Sequence, residues 1–424
     1  MREVRRASVR APWSASLSDE RGCDVRLDVA IVGAGPAGAR AAYVLARRGV
    51  RVTIFDGSHP REKPCGGGVT GRALALIADA VDPAMFPRTA IKSARFTRRR
   101  ASAASAWHAG ASAGHAFDSA VVPLDDDALV VASRASFDAA VLAAAERAGA
   151  ALVRLRVTNV SADSTGVTLT TADGRAHGAS YVIGADGANS LVRRRLATAF
   201  RRDQLSIATG FFAHGVTSDE IVIALTPDPP GYIWSFPRPG HLAIGICAQA
   251  DAGIGVEALR ARTASWIVAT GIANGATLEP YSWPIPSLSV RDFDALELAG
   301  PRWALAGDAA GLVDPITREG IFFALASGQW IADALLTGDD PAPRYASQVR
   351  DEAVSELTRA ARLKAGFFRP AFTGLMMRAL MDSGAIRSVM ADLVAGRQSY
   401  ASLKWRLLKT VEVGLAWRVL TTSD

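Results

Sequence analysis

The chain has 424 residues, 49% hydrophobic and 21% charged, with a net charge of +7. Such a composition excludes a disordered chain, the length suits two closely packed domains, and no uncharged run approaches the roughly 18 residues of a membrane span. The basic balance lies mostly in arginine clusters, such as Arg2, Arg5, Arg6 and Arg10, and Arg193–Arg195. They carry no aromatic platform, so they read as solvated surface rather than a nucleic-acid face.

Residues 1–26 are polar and aperiodic and are expected to form a disordered arm. No apolar stretch of the secretory-signal kind is present there, so a cytoplasmic location is expected. Asp28–Val32 reads as a buried parallel strand, Gly33–Gly38 as a loop, Ala39–Arg48 as a helix ending at Gly49, and Arg51–Phe55 as a second strand closed by Asp56. Together they make one βαβ unit. Residues 57–80 suggest a Gly-rich loop and a helix. Short strands follow, such as Ala94–Thr97 and Ala103–His108, then a helix over Phe137–Ala148. Leu152–Val160 and Val167–Thr171 read as strands, with a hairpin turn at Asp173-Gly174. Tyr181–Ala185 and Trp303–Ala306 read as buried strands, 205–250 as β-rich, and Glu319–Leu336 as a long helix. From Pro341 onward the chain reads helical.

The loop Gly33-Ala34-Gly35-Pro36-Ala37-Gly38 fits GxGxxG. Gly33 permits the tight turn, Gly35 lets a pyrophosphate approach the backbone, and Gly38 lets the helix pack close to the sheet. The helix N-terminus that follows this loop, with Ala37 beside it, supplies free N–H groups to an anion. Asp56 stands where a carboxylate accepts ribose hydroxyls. Three later segments matter: Gly184-Ala185-Asp186-Gly187 and Ala306-Gly307-Asp308-Ala309, each after a buried strand, and Ser133-Arg134-Ala135-Ser136-Phe137-Asp138 before a helix. The cysteines, Cys23, Cys65 and Cys247, are too few and too separated for a disulfide framework. The histidines never fall at metal-ligand spacing, so no metal site is expected.

This set of segments resembles the FAD-binding core shared by aromatic-ring flavin monooxygenases and geranylgeranyl reductases, over roughly Asp28 to Tyr400. The resemblance implies a non-covalent FAD contacted by Asp186, Arg134, Gly307 and Asp308. It also implies that the helix after Gly320, opening at Ile321, points its N-terminus at the flavin. Lys63-Pro64-Cys65-Gly66-Gly67-Gly68 and Tyr232-Ile233-Trp234-Ser235-Phe236-Pro237 look like two motifs of geranylgeranyl reductases, which saturate isoprenoid C=C bonds. In that family Gly66, Gly67 and Gly68 would lie flat against the flavin, where only bare backbone fits. Cys65 would sit beside it as a proton donor or as packing, and Tyr232 and Trp234 would wall an apolar cavity.

The implied fold class is α/β. A discontinuous Rossmann-type FAD-binding domain takes 27–80, 123–198 and 290–340, and a β-sheet substrate domain takes 81–122 and 199–289. A C-terminal helical region takes 341–424. The implied activity is reduction of C=C bonds in an apolar or lipid substrate. No second GxGxxG is present, so electrons would come from an external donor, NAD(P)H or a redox protein. Arg318 departs from the family's common Pro-x-Thr-Gly-Glu-Gly; an arginine near the flavin edge either binds an anionic substrate, tunes the redox potential or points to solvent. Flavin monooxygenases and halogenases are rival readings, and a non-catalytic flavin electron carrier is a third. Residues 363–381, rich in Phe and Met with interspersed Lys364, Arg369 and Arg378, read either as core helices or as a lid resting on a membrane. At most peripheral membrane contact is expected.

Overall fold

The computed structural model describes residues 16–18, 24–100 and 117–410. The expected strand at Ala103–His108 lies outside them, as does most of the expected N-terminal arm. Within that arm, Ser16–Ser18 and Asp24–Arg26 pair as a short antiparallel ladder where no regular structure was expected.

A six-stranded sheet carries the first half of the architecture. Its order is Ala151–Val153, Arg51–Phe55, Asp28–Val32, Tyr181–Gly184, Trp303–Leu305 and Ala299–Gly300. Every pairing is parallel except that of the last edge strand. The central strands are near-continuous apolar runs because helices cover the sheet. Ile31 and Ile183 are fully buried. Helix Pro36–Arg47 packs between Arg134–Arg147 and Ile321–Leu335. At its crossing with the last of these, a side chain on Gly328 would collide with the Ala37 carbonyl oxygen.

The expected strand Leu152–Val160 is two strands. Ala151–Val153 belongs to the parallel sheet, and Val157–Ala162 belongs to a three-stranded antiparallel sheet with Val167–Thr171 and Ala176–Ala179. The chain turns at Arg154–Arg156, where the Leu155 N–H donates to the Val153 carbonyl. The turn at Asp173-Gly174 joins the last two of these strands, as the sequence indicates.

The second half is a seven-stranded sheet in the order Thr277–Pro286, Leu205–His214, His241–Gln249, Pro230–Arg238, Glu220–Pro227, Ser93–Arg99 and Phe117–Pro123. Two distant stretches of chain thus share one sheet. Arg88–Ala90 leaves it and pairs with Leu129–Ala132, which also pairs with Gly68–Thr70. Period-2 alternation sorts the sheet's faces. Ala224, Ile233, Ile244 and Ile246 pack with Leu259, Trp266 and Ile267 of helix Val256–Thr270. Ile221, Ile223, Leu225, Tyr232, Trp234 and Phe236 look the other way, toward the cavity described below.

The C-terminal helices roof that second face. Pro370–Asp382 and Gly384–Val394 bury Phe372, Met376, Met377, Leu380, Val389 and Met390 against Phe96, Ile221 and Leu225. Most of the Phe/Met-rich segment is therefore core, with Met376 and Met377 filling the gap between sheet and helices while Met381 is exposed. Arg369 and Arg378 are exposed. No helix among the described residues is long and apolar enough to cross a membrane.

Candidate active site

One cavity of about 830 Å³ runs from the glycine loop of the parallel sheet to the inner face of the seven-stranded sheet. Gly33, Gly35, Ala37, Asp56, Cys65, Gly66, Gly67, Gly68, Arg134, Asp186, Tyr232, Trp234, Gly307, Asp308, Gly320 and Ile321 all line it. Gly38 does not, and it has a packing reason instead: a side chain there would collide with the Gly33 carbonyl oxygen. Gly33 is likewise fixed by the protein, since its φ is +104° and a side chain would strike Ala185. Gly35 is different. Within 4 Å, a Cβ placed there would meet only His59 Nε2, at 3.6 Å. No protein contact demands a glycine at that point, and the backbone there is open to a ligand.

Around this bare loop the polar groups are organised by their neighbours. Asp56 accepts from the Ala34 N–H at 2.9 Å, the Ser58 N–H at 2.7 Å and the His59 N–H at 3.0 Å, and pairs with His59 Nδ1 at 2.8 Å. Burial disfavours its charge, but the His59 bond and charge and the backbone N–H groups outweigh that and hold it well below the usual carboxylate range. Asp186 accepts from the Leu191 N–H at 2.6 Å and the Val192 N–H at 3.3 Å, capping helix Leu191–Leu196. Burial raises its pKa despite these bonds. Asp308 pairs with Lys63 Nζ at 2.8 Å across the cavity wall. Gly307 donates its N–H to Ser327 Oγ at 2.9 Å, which seats that turn on the long helix. Gly320 is the N-cap of helix Ile321–Leu335, so the first-turn N–H groups and the positive end of the dipole open beside Asp308 and the cavity.

The Lys63–Gly68 loop and the Tyr232–Pro237 strand are one structural unit. A Cβ on Gly66 would meet the Phe236 ring at 3.0 Å, and one on Gly68 would meet it at 3.1 Å. Gly67 has a φ of +86° and abuts the Ala132 carbonyl. The ring that crowds these glycines from the protein side is thus Phe236. Arg238, fully buried, ties the loop down by donating to the Gly66 carbonyl at 3.2 Å and the Cys65 carbonyl at 2.5 Å, and it pairs with Glu62. Glu62 also accepts from Ser133 Oγ at 2.5 Å and the Arg134 N–H at 3.1 Å. Cys65 Sγ accepts from the Gly67 N–H at 3.2 Å and lies 3.8 Å from Arg134 Nη1 and 3.9 Å from Arg238 Nη2. Arg134 holds Asp138 in a two-point pair at 2.9 and 2.8 Å.

Sequence reasoning missed His59, Glu62 and Arg238. Asp138 carried a usable signal, because it stands at i+4 from Arg134 within a helix. Arg238 carried a weaker one, a charged residue directly after an apolar strand motif.

The far end of the cavity is apolar. Ile221, Ile223, Leu225, Trp234 and Phe236 form its floor, and Phe367, Phe368, Met376, Met390 and Leu393 its roof. Tyr232 donates its hydroxyl to the Thr317 carbonyl at 2.9 Å, and burial raises its pKa. At one edge Arg318 has a φ of +62°, the left-handed region that glycine adopts without strain. Its Nη1 donates to Ser287 Oγ at 2.8 Å, and Lys364 Nζ donates to the same oxygen at 2.9 Å and to Gln249 Oε1 at 3.1 Å. Burial and the neighbouring Arg318 push the Lys364 pKa down to about 8.

A bare glycine turn between parallel strands, a second loop beneath a helix N-terminus and an adjoining apolar chamber define a flavoprotein oxidoreductase. The chain belongs to the FAD binding domain family, whose sequence profile matches residues 26–326. FAD is its cofactor. The chain is 27% identical to the menaquinone reductase of Mycolicibacterium smegmatis, across 93% of this chain and 98% of that one. It is 28% identical to the geranylgeranyl diphosphate reductase of Rhodobacter capsulatus, across 74% and 75% respectively. The structure of a geranylgeranyl bacteriochlorophyll reductase-like protein from Thermoplasma acidophilum superposes with a TM-score of 0.72 at 21% identity, covering 90% of this chain and 98% of that one. A flavin-dependent brominase superposes with a TM-score of 0.65 at 19% identity, covering 91% and 99%. These structural likenesses establish the fold, and the sequence relatives place the chain among FAD-dependent oxidoreductases of the geranylgeranyl and menaquinone reductase type.

Proposed function

We propose that this protein reduces C=C bonds of an apolar, isoprenoid-like substrate. The observation that carries this reading is the continuity of the cavity: the cofactor loop opens directly into a chamber lined by Ile, Leu, Phe, Trp and Met. Bound FAD, once reduced by an external donor such as NAD(P)H or a redox protein, supplies the hydride. The protein's own groups do the rest. Tyr232, Trp234 and Phe236 hold an apolar chain, exclude water and keep the reacting bond flat against the cofactor side of the chamber. Cys65, on the wall shared by loop and chamber, stands as the proton donor to the carbon that does not receive hydride.

The halogenase alternative needs a free lysine facing the substrate. The lysine on the cavity wall is Lys63, and it is paired with Asp308. A specific observation extends the reductase reading to the substrate's polar end: Arg318 lines the cavity, Lys364 shares its partner Ser287 from behind, and the positive charge at this edge suits an anionic head. A geranylgeranyl diphosphate reductase is among the relatives.

The test is product analysis without oxygen or added halide, using holoprotein kept reduced by dithionite and a polyprenyl compound. The expected product has gained two hydrogens, and Cys65→Ser retains FAD while forming it more slowly. Product only in the presence of oxygen, chloride or bromide moves the protein to the monooxygenase or halogenase class. An unchanged rate in Cys65→Ser makes the thiol packing only.

A further inference from the structure

His59 joins the two acids that frame the cofactor loop. Its Nδ1 is 2.8 Å from Asp56 Oδ2, and its Nε2 is 3.3 Å from Asp138 Oδ2. A neutral imidazole has one N–H and one lone pair, so it satisfies only one of these carboxylates; the imidazolium donates to both. Both acids are shielded from water, Asp138 completely. The charged groups around the ring are Asp56 on its own loop, Asp138 on helix Arg134–Arg147 and, behind Asp138, Arg134 in its two-point pair. Arg154, at the neighbouring sheet edge, donates to the His59 carbonyl at 3.1 Å. Charge balances across Asp56, His59, Asp138 and Arg134 only when the ring is protonated. Burial alone would lower the His59 pKa, but its bonds to Asp138 and Asp56 outweigh that and raise it.

The ring's position gives this charge a use. Nε2 is the nearest atom to a Cβ placed on Gly35, the glycine of the turn that no protein contact accounts for. The dinucleotide's diphosphate is anionic and lies on that turn in this fold. We propose that His59 is a protonation-dependent positioning residue for FAD: as imidazolium it ties the Asp56 loop to the Arg134 helix and sets a positive charge beside the cofactor's diphosphate, and on losing its proton it loosens both. The sign follows from linkage. Bound FAD favours the protonated ring, so affinity is greatest at low pH, falls as pH rises through the His59 pKa, and levels off once the ring is neutral in both free and bound protein.

The experiment measures FAD affinity by flavin fluorescence on protein stripped of cofactor, from roughly pH 6 to pH 9, the range in which a histidine titrates. In the wild type the dissociation constant should rise about tenfold across this range. His59→Gln, which keeps size and one donor, should be flat and resemble the wild type at high pH. A flat wild-type profile, or a His59→Gln variant that weakens FAD yet keeps the wild-type slope, overturns the proposal. Should His59→Gln fail to fold, calorimetry of FAD binding to the wild type in buffers of different ionisation enthalpy decides the matter. Proton uptake near neutral pH supports the imidazolium, and zero uptake contradicts it.

Discussion

The cofactor end of the cavity and the substrate end are built by opposite means. At the cofactor end, close backbone approaches and buried charges fix each group: Gly33 against Ala185, Gly38 against Gly33, Asp186 capping a helix, and Asp56 and Asp138 bridged by His59. At the substrate end there is an alternating apolar sheet face under helices, with methionines filling the space between. The first design admits one kind of ligand and punishes any added atom. The second tolerates changes of shape so long as volume is kept.

The comparison is broken most severely at Gly35. Replacing it with Trp should abolish FAD binding, at least a hundredfold, while circular dichroism still reports a folded chain, because a Cβ there meets only His59 Nε2, at the ordinary contact distance of 3.6 Å. Yellow, stoichiometric Gly35→Trp protein would remove the cofactor assignment of this loop. Next is the seam between the two ends. Arg238→Ala leaves Glu62 without its buried partner and frees the Cys65 and Gly66 carbonyls, and should cost about 3 kcal/mol in denaturant unfolding. A change below about 0.5 kcal/mol would mean the loop is held by Phe236 packing alone. A third change should separate the ends cleanly. Ile223→Trp fills the chamber from the sheet side, so affinity for a long polyprenyl compound should fall about tenfold while FAD affinity stays within twofold.

The smallest effects concern Arg318 and Lys364. Inorganic diphosphate should inhibit the wild type competitively, and inhibition should weaken as pH rises through about 8, where Lys364 loses its charge. Arg318→Gly should lose this inhibition. It should also gain about 1 kcal/mol of stability, since glycine adopts the left-handed backbone there without strain. Diphosphate inhibition that is the same in both proteins would detach these cations from the substrate.

The cofactor end was legible because each of its parts is local. A strand, a glycine turn, a helix and a closing acid follow one another within one βαβ unit, and the recurrent loops at Gly184 and Gly307 each follow a buried strand. The role of Asp56 was not legible in the same way: the ring that occupies its carboxylate, His59, is three residues on and needs Asp138 from a distant helix to make its purpose visible. The chamber was legible only as two motifs. That Phe236 of one motif packs against Gly66 and Gly68 of the other depends on a sheet assembled from Ser93–Arg99, Phe117–Pro123 and strands within 205–286, and no spacing within either motif encodes it. The split of Leu152–Val160 was missed for a related reason. Alternating residues fit a strand on either side of Arg154–Arg156, and only the change of partner sheet divides them.

The most direct measurement is an anaerobic half-reaction. Holoprotein is reduced, oxygen and the reductant are removed, and a polyprenyl compound is mixed in while flavin absorbance is followed. Reduction of a C=C bond in the chamber predicts that the oxidised flavin spectrum returns without oxygen, at a rate that saturates with the compound and falls in Ile223→Trp. A flavin that stays reduced until oxygen is admitted would contradict it.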